Sequence, residues 1–508
     1  NMYWRYGQNI LSSAEIIARD KRLYPVYITN FGCGPDSFIT QFFQERTGGK
    51  PCLVIEVDEH SADAGMITRC EAFIDSIEST RGGQYQPGRP FRPLQYDRDQ
   101  ERIMLIPNMS IHAYALKGAF AGCGVRAEVM DEPDEETLLH GRRWTTGKEC
   151  FPAVVTTGDM VKYALREDFD RNKYAFFMGG SGGPCRFGQY NALQRMVLDD
   201  LGFEDVPIYA PNQASKFFGD TALVGKKFLL YGWRGMVALD MLYKARLEIK
   251  PYEITPGQTV EVMNEYRDRI TDALSREADL LPVLREAADA FGAIPVDRSE
   301  RKPIIGVTGE FYVRFNGFSN QNVVEQIEDL GGVVWIAPVF EWFLYRNFRR
   351  DMRAKLDSAW LLRLKNSMMD RIMRKDEHAF AHAFDELLEN AVEPSSADVL
   401  EMAAPYIHCS FEGEGVMTIG KAVDFARRGL SGIVTIMPFT CMPGTVSHAI
   451  MRRVKDDFGG IPTLNMVYDG SEQATAVTRL EAFMYSAREF MRNARVTAPG
   501  SAQPLASS

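Results

Sequence analysis

Nowhere in this sequence do about 18 apolar residues run uninterrupted, the length a bilayer-spanning helix needs. The sequence also lacks any Lys- or Arg-rich block, and its formal net charge is −10. That balance argues against nucleic acid or an anionic membrane surface as its main partner. Cysteine is scarce, eight in 508 residues, too few and too scattered for a disulfide framework. No two cysteines show the C-x-x-C spacing of a zinc ribbon or a ferredoxin. The opening residues carry no signal-peptide pattern, so a cytoplasmic chain is expected, with its cysteines as thiols or metal ligands. A P-loop is missing too: the glycine-rich turn at residues 179–184 (GGSGGP) lacks the Lys-Ser/Thr that cradles and charges a nucleotide phosphate. What remains, 45% hydrophobic and 25% charged, is the composition of a folded globular chain, and the length predicts two or three domains.

The most informative feature is an internal repeat. Phe31-Gly32-Cys33-Gly34-Pro35 returns as Phe439-Thr440-Cys441-Met442-Pro443, an offset of 408 that also pairs Gly7 with Gly415 and Ala14 with Ala422. Further on, KPCLVIEVDEH parallels IPTLNMVYDGS, and Thr68–Phe73 (TRCEAF) parallels Thr478–Phe483 (TRLEAF). The pattern predicts one supersecondary unit used twice: helix, strand, cysteine turn, helix, strand, helix. Cys33 and Cys441 coincide in the two copies, whereas Cys52 faces Thr463 and Cys70 faces Leu480. The shared TRxEAF residues, Arg69 with Glu71 and Arg479 with Glu481, predict an ion pair or cap that holds each copy together.

Apolar runs bounded by Gly and Pro, alternating with helical patterns, predict an α/β fold of repeated doubly wound parallel-sheet lobes with a helical insertion. Residues 1–85 would be the closing half of a first repeat, followed by a Gly/Pro/Arg-rich linker. Residues 100–255 would form the first α/β lobe of a second repeat, residues 256–300 a helical connector, and residues 301–492 a second lobe. The Met-, Arg- and Lys-rich stretch 341–392 reads as a helical insertion, its SMMDRIM segment serving as core or as an oligomer face. Residues 493–508 read as a disordered tail. Because the chain opens inside a helical pattern, a longer polypeptide is expected, beginning before Asn1.

Cys150, Cys185 and Cys441 each stand at a Gly- or Pro-bearing turn just ahead of a helical pattern. A helix N-terminus offers unpaired N–H groups and positive potential, which lowers a thiol pKa and suits a thiolate ligand. The spacing between the three, 35 residues and then 256, fits no metal motif by itself. Inert thiols stay open as the alternative, and that reading is kept for Cys52, Cys70, Cys123 and Cys409.

The segments GKECFP…TTGDM, GGPCRFGQYNALQRMVLDDLG and MPFTCMPG…GIPTLNMVYDG…TRLEAF resemble the three cysteine segments of the 2-hydroxyacyl-CoA dehydratase component family. The likeness is closer to the large acyl-CoA dehydratase activase-related proteins, in which two such units follow actin-like ATPase modules in one chain. It extends over roughly residues 1–490. The resemblance implies a [4Fe-4S] cluster held by three cysteines, here Cys150, Cys185 and Cys441. It implies that Cys33 is the closing ligand of a preceding unit whose other cysteines lie upstream of Asn1. In double-cubane relatives two such clusters share a sulfide, an [8Fe-9S] group. Also implied are an actin-like ATPase activase as partner, fused or separate, acyl-CoA as a ligand, and a dimer.

The activity expected from that likeness is low-potential reduction of a small substrate, with electrons delivered by the ATPase. The alternatives are a non-catalytic electron-relay or assembly module, a 2-hydroxyacyl-CoA dehydratase proper, and a structural zinc protein. Glu149, Arg186, Gln189, Glu310 and Glu414 are candidates for hydrogen-bonding or proton-supplying roles around the site, with Glu412 and His408 beside them. Solvated or capping roles are the competing reading for each.

Overall fold

The computed structural model describes residues 2–30, 32, 34–59, 62–80, 85, 88, 101–211, 224, 225, 227–471 and 475–497. It is an α/β protein whose strands are parallel and flanked by helices. The chain divides into two compact units. Unit 1 is Asn1–Asn108, Val125–Lys226 and the short segment Phe439–Pro443; unit 2 is Met109–Gly124, Lys227–Pro438 and Gly444–Ser508. Cys33, most of the expected linker after residue 80, and residues 498–508 of the expected tail lie outside the described residues. The start of that expected tail is helical, because the last helix is Ala476–Thr497.

Unit 1 holds two sheets. The strands β1 (Val26–Thr29) and β2 (Leu53–Glu56) form one, and β3 (Ile103–Ile106), β4 (Ala127–Val129), β5 (Tyr174–Phe177) and β6 (Ile208–Tyr209) the other, in the order β4-β3-β5-β6. Unit 2 holds β7 (Ile304–Gly309), β8 (Val333–Ile336), β9 (Gly432–Pro438) and β10 (Thr463–Tyr468), ordered β8-β7-β9-β10. Both four-stranded sheets therefore place their strands second, first, third, fourth, the doubly wound order with its switch between the first strand and the third. The strands read as near-continuous apolar runs because a parallel sheet with helices on its faces is buried on both sides. Every residue of β3, β8 and β9 is buried. Strand β8 and the long buried helix Phe228–Ile249 are elements that hydropathy patterning missed. That helix is apolar around much of its circumference, so it lacks the one-sided periodicity that marks a surface helix.

The repeat is present in the structure down to strand register. Val26 pairs with Leu53 and Tyr27 with Val54. At their repeat positions, Val434 pairs with Leu464 and Thr435 with Asn465. The helices before each first strand, Arg5–Arg19 and Glu414–Arg427, bury Gly7 with Ala14 and Gly415 with Ala422 at equivalent places. The conserved arginine ties each copy together, though not through Glu71 or Glu481 as expected. Arg69 Nη1 donates to the Val54 carbonyl at 3.4 Å, and Arg479 Nη2 to the Asn465 carbonyl at 2.7 Å, the matching position of the second strand. Two residues apart on a helix, Arg and Glu point in different directions, which is why the arginine turns to the strand.

The helical insertion is formed by Phe340–Leu356 and Trp360–His382. The SMMDRIM segment is split by its helical phase: Met373 is buried, while Met368 is exposed. Among the described residues no helix is long and apolar enough to cross a membrane.

Candidate metal centre

All the described candidate cysteine segments belong to unit 1, because the excursion Phe439–Pro443 brings Cys441 into it. Cys150 is the N-cap residue of helix Phe151–Ala164, with Pro152 in the first turn. Its carbonyl accepts from Ala153 N at 2.8 Å. Pro is suited to that turn because its missing N–H would find no helical acceptor there. The helix starts four residues earlier than its hydropathy suggests, and it buries 12 of its 14 residues. At ~1.5–3 kcal/mol for each large apolar side chain removed from water, that burial fixes where the Cys150 turn sits. The thiol itself is buried and lies 2.7 Å from the Tyr190 hydroxyl.

Cys185 is the N-cap residue of the short 3-10 turn Arg186–Gln189, which continues into helix Tyr190–Asp200. The glycine-rich loop ahead of it folds back tightly. A Cβ at Gly188 would come within 1.9 Å of the Ser181 carbonyl oxygen, and Gly183 has φ +92°, so neither position accepts a larger residue without strain. Two aromatic residues near the start of the chain brace the loop: Tyr3 donates its hydroxyl to the Cys185 carbonyl at 2.5 Å, and Trp4 Nε1 to the Gly183 carbonyl at 2.9 Å. Burial, then Cys185 and Cys150, push the Tyr3 phenol well above its ordinary pKa, so it stays a donor. Sequence reasoning did not single out Tyr3 or Trp4, since nothing local connects residues 180 positions apart.

Cys441 follows β9 and precedes helix Met442–Asp457. The residue before it, Thr440, has φ +62°, a left-handed conformation that a β-branched residue adopts only under constraint. The equivalent residue of the first copy is Gly32, also at φ +62°. Both copies thus need the same backbone, and the second copy builds it with a residue that disfavours it.

The constraint is Arg186. Its side chain is buried, and its Nη2 donates to the Thr440 carbonyl oxygen and Oγ1 at 2.9 and 3.0 Å. Its Nη1 donates to Ser37 Oγ at 2.9 Å and to the Lys148 carbonyl at 3.3 Å. One guanidinium therefore joins the helix that follows the Cys33 turn, the loop that carries Cys150, the turn that carries Cys441, and its own neighbour Cys185. Burial alone would disfavour its charge, yet Cys150, Tyr190, Cys441 and Cys185 together hold its pKa above the ordinary value. Only a planar, five-donor cation can serve acceptors on several sides at once. Lys148 adds a second tie: its Nζ pairs with Glu56, and its side chain crosses Gly32, where a Cβ would lie 2.9 Å from the Lys148 Cδ.

The other candidates have distinct placements. Glu149 is buried, and its carboxylate accepts from Thr146 N and Oγ1 at 3.0 Å, so it shapes the loop ahead of Cys150. Gln189 is buried, and its side chain hydrogen-bonds the Tyr3 hydroxyl. Glu310, Glu414, Glu412 and His408 belong to unit 2. There Glu412 pairs with Arg349, and His408 Nδ1 lies 2.7 Å from Ser410 Oγ. Burial raises the Cys52 thiol to about 11. Cys70 is exposed, and Cys123 and Cys409 belong to unit 2.

Among the described residues, no group of three or more His, Cys, Asp or Glu side chains is close enough to share one metal ion. The cysteines meet instead around a guanidinium, each of the three at the start of a helical turn. A polynuclear iron–sulfur group asks for soft thiolate ligands and N–H donors toward its sulfides. The three thiols are soft ligands of the kind such a group takes. No family model and no curated protein sequence matches this chain.

Proposed function

We propose that the chain is the iron–sulfur part of an ATP-dependent acyl-CoA dehydratase/reductase-type system, taking low-potential electrons from an actin-like ATPase activase. On this reading Cys150, Cys185 and Cys441 hold a [4Fe-4S] cluster, as such or as half of a double-cubane group, and Cys33 belongs to an adjoining set. The observation that carries the reading is Arg186. A buried cation hydrogen-bonded into the loops of three cysteines offsets the charge that thiolates would bring into a low-dielectric site. When bound, such a cluster supplies one-electron transfer at low potential.

The residues of the chain do the rest. The helix starts behind Cys150 and Cys441 favour the thiolate form. The Tyr190 hydroxyl, 2.7 Å from Cys150 Sγ, donates to that sulfur when it is ionised. The aromatic contacts Phe38–Tyr190 (ring centroids 6.0 Å apart) and Phe187–Tyr190 (5.2 Å) keep water from one side of the same sulfur. Of the outcomes the resemblance implies, we favour reduction of a small molecule over dehydration of a 2-hydroxyacyl-CoA.

Anaerobic purification tests the reading. The expected result is about four irons with matching acid-labile sulfide per chain, lost in Cys150→Ser, Cys185→Ser or Cys441→Ser and kept in Cys123→Ser. Stoichiometric zinc without sulfide would refute it. Reduction by the ATPase with MgATP, followed by challenge with 2-hydroxyacyl-CoAs and with small reducible molecules, separates the two activities.

A further inference from the structure

Unit 2 contains a buried polar cluster that the cysteine centre does not use. At the carboxyl end of β7 the chain passes through Glu310 into the short helix Phe311–Phe315. Arg314 on that helix is only 3% exposed. Its Nη1 donates to the Gly309 carbonyl at 2.8 Å. Its Nε and Nη2 have no hydrogen-bond partner among the described residues. These two atoms form the side-on edge of the guanidinium, the edge that matches a carboxylate with two parallel hydrogen bonds. The rings of Phe311 and Phe315, with centroids 4.7 and 5.2 Å from the guanidinium carbon, line its approach with apolar surface.

Two carboxyl groups complete the cluster. Glu310 Oε2 accepts from Val313 N at 3.0 Å. Glu414, at the start of helix Glu414–Arg427, accepts from the Phe311 N–H. Its Oε1 is buried with no partner among the described residues. Burial raises the pKa of Glu310, and burial together with the neighbouring Glu310 raises that of Glu414 further. Two carboxyls that raise each other's pKa in a dry site hold less negative charge between them than two free ones.

A guanidinium left with two buried, unmade hydrogen bonds is costly, and proteins keep such a group where something else completes it. The location agrees. In an open parallel sheet, ligands enter at the carboxyl ends of the strands where the winding reverses, here between β7 and β9.

We propose that Arg314, with Glu414 beside it, forms a binding site for a small carboxylate, which accepts from the Nε–H and Nη2–H of Arg314. A metal cation does not suit a site centred on a guanidinium. A phosphate dianion would bring twice the negative charge of a carboxylate beside Glu341 and Asp240, and more acceptors than the two free N–H groups can serve. The inference does not depend on the cluster assignment in unit 1.

The test uses the wild-type chain prepared in carboxylate-free buffer and titrated with formate, acetate and propionate. Acetamide and chloride at matched ionic strength are the controls. The expected result is a saturable rise in unfolding temperature and a calorimetric binding isotherm for the carboxylates, with neither for acetamide or chloride. Arg314→Lys keeps the charge and loses the fork, and should weaken acetate binding at least tenfold. Glu414→Gln keeps the size and shape of the side chain and should bind acetate within a few-fold of wild type. Equal responses to acetate and chloride, no saturable response to any carboxylate, or unchanged affinity in Arg314→Lys would overturn the proposal. The wild-type comparison decides the matter even if a variant fails to fold.

Discussion

The strain at Thr440 and the grip of Arg186 on it should be energetically coupled, and the size of the coupling can be worked out from the hydrogen bonds. A non-glycine residue held in the left-handed region costs about 1–2 kcal/mol, which Thr440→Gly recovers. Glycine gives back about 0.5–1 kcal/mol through the entropy of the unfolded chain. The substitution also removes the Oγ1 acceptor of the 3.0 Å bond from Arg186 Nη2, and a hydrogen bond to a charged group contributes about 1.5–3 kcal/mol. In the wild-type background these add up to a net loss of about 1–2 kcal/mol. With Arg186→Met already present the hydrogen-bond contribution is gone, so Thr440→Gly should stabilise by about 0.5–1 kcal/mol. The coupling is then about 2 kcal/mol. Native-state hydrogen exchange of peptides covering residues 436–443 and 183–190 reads the local opening energy directly, without assuming that two units unfold as one. If the two substitutions add within about 0.5 kcal/mol, or if Thr440→Gly stabilises the wild-type chain, then Arg186 does not hold the turn and the account of the site fails at its centre.

Two further predictions concern buried charge. Asp159 lies inside helix Phe151–Ala164 with its pKa pushed by burial to about 8, despite the counteracting Thr137 and Lys162. The folded state binds a proton that the unfolded state releases near pH 4, so stability should be greatest below pH ~4 as regards this group and fall as pH rises toward 8. Asp159→Asn should flatten that slope in urea titrations across the range, and an unchanged slope would show that the carboxyl is not buried as described. In unit 2, Glu393 is held between Lys244 (2.5 Å) and Lys421. Despite burial, these cations lower its pKa to about 2. Its contribution is present above the ordinary carboxylate pKa and lost as pH falls through the folded value. Glu393→Gln leaves two lysines short of a counter-charge and should cost about 3–5 kcal/mol at neutral pH, read from the urea midpoint. A loss under about 1 kcal/mol would contradict the network.

Much of the fold could be read from local pattern, and the reasons are specific. Continuous apolar runs such as residues 433–439 mark strands buried on both faces, and helix Asp36–Arg46 has the bounds its sequence suggests. The repeat was legible because Phe31–Pro35 and Phe439–Pro443 keep both residue type and spacing. What escaped was anything set by distant contacts. Neither the return of Phe439–Pro443 to unit 1 nor the bracing of the Cys185 turn by Tyr3 and Trp4 leaves a local trace. Arg186 could be picked out as a candidate beside Cys185, but its reach to Ser37, Lys148 and Thr440 could not. One sign of it was available: a threonine stands where the other copy has a glycine at a turn, and such a substitution needs something to hold it.

The strand order accounts for where the cysteines fall. Cys185 follows β5 and Cys441 follows β9, each the third strand of its sheet, and Cys33 follows β1, which the repeat aligns with β9. The carboxyl end of the third strand lies at the switch in winding, where the connections part and leave backbone N–H groups facing an opening. Cys150 occupies a different position, the N-cap of the helix that leads into the third strand. At the helices that lead into β9 and β1 the N-cap is Gly413 and Trp4. Only the lobe of β3 to β6 therefore carries a cysteine at both positions. On the function proposed above, a three-thiol site built on that lobe takes its third ligand from the strand-end turn of another lobe. Phe439–Pro443 is that turn, and it is the one segment of its lobe that unit 1 takes in. Thr440 then explains why that turn needs Arg186: glycine takes the left-handed backbone without strain, whereas threonine is held there by the arginine next to Cys185.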